Sequence, residues 1–119
     1  MDALYTNDLL NKAGEQLNHL SALLLLINVR YGTGAITEQQ AKAMLSICEI
    51  PLKHAITFVE QINERQTDQK VHHLMDQLNG IQLTLKELNE FDLHREQTSI
   101  CIDALMQITE TLAQEYINC

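Results

Sequence analysis

Asp68, His72 and Asp76 recur at four-residue intervals, with His73 directly after His72. On a helix that spacing stacks the side chains on one face, where carboxylates and an imidazole could close on zinc or another divalent cation. The same residues lie on the face away from Val71, Leu74 and Leu78, where solvated charge is the ordinary occupant. Glu15 with His19 and Glu90 with His94 repeat the spacing elsewhere. The Glu-x-x-His spacing of di-iron bundles is absent. No cofactor is expected, and Asp68, His72 and Asp76 stand as the alternative metal set.

Nucleophilic chemistry has thinner support. A reactive Cys needs a basic neighbour to lower its pKa, yet Cys48 and Cys101 fall on apolar stripes, and Cys48 and His54 are six residues apart, off a common helical face. Gly32-Thr33-Gly34 has neither the preceding strand nor the third glycine of a phosphate-binding turn. Met44, Met75 and Met106 could line a ligand cavity, but at helical spacing they read as packing residues. Nothing here predicts an enzyme.

The elements that must carry these residues are helices. Four apolar stripes alternate three- and four-residue steps: Leu10, Ala13, Leu17, Leu20, Leu24, Ile27, Tyr31; then Ala41, Leu45, Cys48, Leu52, Ala55, Val59, Ile62; then Val71, Leu74, Leu78, Ile81, Leu85, Leu88; then Cys101, Leu105, Ile108, Leu112, continuing toward Tyr116 and Cys119. The breaks between them are short, which favours antiparallel neighbours. The expected fold is all-α, a single domain over residues 1–119: an antiparallel four-helix bundle in up-down-up-down order.

Local signals place the ends. Helix 1 is expected to start near Thr6 or Asn7 and stop at Gly32 as its left-handed cap. Thr37 and Gln40 form a capping box for helix 2, with Ile36 and Ala41 as a hydrophobic staple. Pro51 removes a hydrogen bond inside helix 2, but the stripe keeps its register across it, so a kink is expected rather than two helices. Thr67 and Asp68 suit the start of helix 3, although a bent continuous helix 2–3 is an alternative. Gly80 sits inside helix 3, and Asp92 is the cap candidate for helix 4.

Composition narrows the function classes. The chain carries sixteen acidic and eight basic residues, a formal charge of −8, and ten of the acids lie in the second half. Without a Lys/Arg cluster, direct nucleic-acid binding is not expected, because phosphate neutralisation supplies most of that affinity. An acidic inhibitor mimicking nucleic acid is an alternative. Three widely spaced cysteines form no disulfide framework and suit a reducing compartment. With no secretory signal at the start and no apolar run long enough for a bilayer, a cytoplasmic protein without membrane contact is the expectation.

One feature exceeds what a bundle core needs. Opposite the Leu20, Leu24, Ile27 stripe, helix 1 carries Ala22, Leu25 and Val29, and helix 4 carries Ile102, Met106, Ala113 and Ile117 beside its first stripe. A helix apolar on two sides is either central in its domain or touches another chain, and no helix of a four-helix bundle is central. The expected function is non-enzymatic protein–protein interaction of the adaptor, chaperone, immunity or inhibitor type. It would act through Leu25, Val29, Ile102, Met106 and Ile117, as a homodimer or with another protein. A metal- or ligand-binding bundle is the alternative from another class.

Overall fold

A computed structural model describes the backbone of residues 2–65, 69–90 and 94–117, with side chains for 5–65, 69–90 and 94–115. Four helices follow one another: α1 (Asp2–Gly32), α2 (Glu38–Arg65), α3 (Gln69–Glu90) and α4 (Arg95–Ile117). Buried apolar side chains from all four form one cluster. The bundle is 50 Å long and about as wide as two helices in cross-section, 22 × 18 Å.

Directions follow from cross-helix contacts. Tyr5 near the start of α1 carries the Arg65 guanidinium at the end of α2 over its ring, 4.3 Å from the centroid, while Tyr31 and Ala41 share a hollow at the other end. Ser21 and Asn28 of α1 hydrogen bond to Glu110 and Ser99 of α4, and Ser46 of α2 accepts from Asn89 of α3. Residue numbers therefore rise along one helix as they fall along its neighbour. α1 packs along both α2 and α4, and α2 along α3, whereas among the described residues α3 and α4 touch at only a few points.

The α2 and α3 stripes are buried at every expected position. α2 is one continuous helix with Pro51 inside it, and α2 and α3 are separate helices. The capping box forms: Thr37 N donates to Gln40 Oε1 at 2.8 Å, and Gln40 N to Thr37 Oγ1 at 3.1 Å. Gly80 lies inside α3. Thr67, Asp68 and Asp92, expected near the starts of α3 and α4, fall outside the described residues.

Three expectations need correction. α1 begins at Asp2, so Thr6 and Asn7 are interior residues, and Leu9 joins the core while Leu10 is only partly buried. Gly32 ends α1 in helical conformation; the left-handed residue is Gly34, at φ +79°. Ala35 N donates to Arg30 O at 2.8 Å and Gly34 N to Tyr31 O at 3.1 Å, the paired bonds of a Schellman motif that satisfy carbonyls at the helix end.

The third correction is a rotation of α4. Its buried line is Thr98, Ile102, Leu105, Thr109 and Leu112, with Ala113 beside it. Cys101 is only partly buried, and Ile108 is 43% exposed. A polar residue at the centre of a core stripe explains the shift: Thr109 returns its hydroxyl to Leu105 O at 2.7 Å, so its polar atom is satisfied within the helix and its methyl faces the core.

Candidate functional site

The rotation of α4 divides the expected contact residues. Ile102 is fully enclosed by this chain's own core, and Met106 is partly buried against it. Ile102 thus serves as a core residue rather than a partner contact, because the rotation of α4 turns its side chain inward. The Ile117 side chain lies outside the described residues. Leu25 and Val29 stay on the surface, 49% and 55% exposed.

Those two have company that the stripes did not reveal. Leu26 is exposed one position on, and Ile47 and Ile50 are exposed on α2. The contacts at the two ends of the α1–α2 pair put Leu23 and Leu26 level with Ile47 and Ile50 along the seam. Leu23 is partly buried against the core just beneath. α1 thereby presents Leu25 and Val29 on the α4 side of its outer surface and Leu26 on the α2 side. The signal was in the sequence: Ile47 and Ile50 fall off the Leu45, Cys48, Leu52 stripe, where only an outward position remains.

A different surface runs between α3 and α4. Where a closed bundle would have a seam, two consecutive grooves separate the helices, each of roughly 300–400 Å³. Gln77, Gly80, Ile81 and Thr84 line them from α3, and Leu105, Ile108, Thr111 and Leu112 from α4. Asp76 and Glu115 are the carboxylates of the lining, which includes no Lys or Arg. A Cβ built on Gly80 would meet nothing within 4 Å.

The candidate chemistry is dispersed. His72, His73 and Asp76 are exposed on α3, bordering a shallow hollow with Gln69 and Lys70, and Asp68 lies outside the described residues. Among the described residues, no three His, Cys, Asp or Glu side chains come together in a group that could hold a metal ion. Cys48 is buried, and burial pushes its thiol from 9.0 up to about 12, so it is a protonated core residue at neutral pH.

Among the described residues, no helix is long and apolar enough to cross a membrane. No family model, no curated protein and no solved structure matches this chain.

Proposed function

We propose that this protein works by binding protein, and that the outer face of α1 with the adjoining edge of α2 is where a second copy of the chain docks. The observation that carries this reading is the exposure of Leu25, Leu26 and Val29 within little more than one helical turn, with Ile47 and Ile50 at the same level. Scattered single apolar residues are normal on a surface, whereas a grouped set several side chains wide marks an interaction site.

Charge supports a copy of this chain as the occupant of this face. Six of the sixteen acids lie in the first sixty residues, against four basic residues. Two of those cations are held on the surface by exposed ion pairs, Lys12 with Asp8 at 3.2 Å and Lys42 with Glu38 at 3.6 Å. Two such faces meet with little like-charge repulsion, although each chain carries −8 overall. A stable dimer hides roughly 800 Å² per partner, about a tenth of a small protein's surface, and α1 and α2, 31 and 28 residues long, are extended enough to supply it. The free cysteines suit a reducing cytoplasmic setting for such a protein.

Light scattering with reductant present, over a hundredfold range of protein concentration, tests the proposal. The expected result is twice the chain mass at the upper end, with Leu25→Glu giving the chain mass throughout and an unchanged helical circular dichroism spectrum. A folded Leu25→Glu variant that self-associates like the parent would refute this face as the interface. A parent that is monomeric at every concentration would refute the homodimer.

A further inference from the structure

We propose that the groove between α3 and α4 receives an amphipathic helix with basic flanks, supplied by a partner protein. Its floor is apolar: Ile81, Leu105 and Leu112 are buried at its base, and Ile108 stands 43% exposed within it. From His73 to Thr84 the groove follows about three turns of α3, roughly 16 Å, the length over which a docked helix offers anchors at i, i+3 or i+4, and i+7. Room exists at the centre, because nothing approaches within 4 Å of where a Gly80 side chain would begin.

The charge of the groove selects the occupant. Among the described residues its lining holds Asp76 and Glu115, with His73 at one end and no Lys or Arg, and α4 as a whole carries one basic residue against four acidic ones. A second copy of this chain would bring another −8 to an already acidic wall. A helix with Leu- or Ile-type anchors on one face and Lys or Arg beside them would match both the floor and the rim. The walls add hydroxyl and amide groups at Thr84, Thr111, Gln77 and Gln107 that can accept from cationic head groups.

The test uses the full chain, isotope-labelled for amide NMR, and three designed peptides of about eighteen residues, long enough for five helical turns. One carries Leu on one face and Lys on the other. The second replaces Lys by Glu, and the third keeps the Lys composition but disperses the Leu residues around the helix. The expected result is binding of the first peptide with amide shifts confined to α3 and α4, and affinities at least about tenfold weaker for the other two. Ile108→Gln, at an exposed position that leaves the core intact, and Gly80→Phe, which fills the gap, should each weaken the first peptide about tenfold as well. Equal binding of the first and second peptides would overturn the charge argument. Equal binding of the first and third would reduce it to nonspecific attraction and overturn the groove. Shifts centred on Leu25 and Val29, or no binding of the first peptide at about 1 mM, the weak limit of useful affinity, would overturn it too.

Discussion

The two edges of α4 carry similar polar residues and use them in opposite ways. On the α1 edge the hydrogen bonds cross between helices: Ser21 donates to Glu110 at 3.2 Å and Ser99 donates to Asn28. On the α3 edge they turn back on their own helix. Thr84 donates to Gly80 O and Thr111 to Gln107 O, each at 2.9 Å, and Gln107 donates to Asp103 at 2.9 Å. With these donors spent inside their own helices, none of them crosses the α3–α4 seam, whereas the α1–α4 seam is bridged.

Truncating one apolar side chain from each region gives the sharpest contrast. Leu20, fully buried where α1 faces the core, should cost about 2–5 kcal/mol as Leu20→Ala, because the cavity term adds to the lost transfer energy. Ile108→Ala in the groove should cost under about 1 kcal/mol, since much of that side chain already meets water. Urea unfolding followed by circular dichroism measures both. Comparable losses would mean that the α3–α4 seam is as well packed as the rest.

Thiol chemistry probes the same contrast without truncation. In a Cys119→Ser background, Cys101 should react with an aromatic disulfide reagent at pH 8 at least about a hundredfold faster than Cys48, which has to wait for the core to open. The Cys48 pKa also predicts a pH dependence. The folded protein holds this proton up to about 12, whereas the unfolded thiol releases it near 9.0, so the unfolded state is favoured increasingly as pH rises between those values. Stability should fall across that window by more than in Cys48→Ala. Identical alkaline profiles would show that this thiol is not sealed in the core.

These contrasts were partly legible in the sequence. The α2 and α3 stripes read correctly because every core position there is plainly apolar, from Ala41 to Ile62 and from Val71 to Leu88. The α4 stripe read one residue out of phase because Thr98 and Thr109 hold core positions, while Ile108, the more apolar residue, is the exposed one. Hydropathy ranks the side chain, but burial depends on whether its hydroxyl finds a partner, and Thr109 finds one four residues back. Leu25 and Val29 were recoverable from angular position alone. The α3–α4 groove was not, since Gln and Thr in a sequence do not reveal whether their bonds will run along a helix or across to the next.

Glycine substitutions extend the comparison to the backbone. Gly34→Ala should destabilise by about 1–2 kcal/mol, because its φ of +79° is costly for an L side chain and the new Cβ would lie 2.8 Å from Nη1 of Arg95. That guanidinium, which covers the Tyr31 ring at 4.8 Å, ends a flexible side chain and can move aside, so the backbone conformation carries most of the expected loss. Thr37→Ala, which removes one of the two capping-box bonds, should cost about 1 kcal/mol. Thermal melts rank the pair, and no loss for Gly34→Ala would contradict the left-handed backbone at Gly34.

The smallest expected effect has the opposite sign. Gly80 has helical backbone within α3 and open space where its side chain would begin, so Gly80→Ala meets no clash and reduces the freedom of the unfolded chain. A gain of about 0.5–1 kcal/mol is expected, comparable to the intrinsic helix preference for Ala over Gly. If α3 instead closed against α4 in solution, the added methyl would have to displace a packed neighbour and the gain would vanish or reverse. The sign of this one substitution, measured by chemical unfolding, therefore reports whether the groove is open in the free protein. An open groove also makes a specific demand on binding: a helix that docks there can do so without prying the bundle apart, and its association should leave the α1–α2 and α1–α4 seams unchanged.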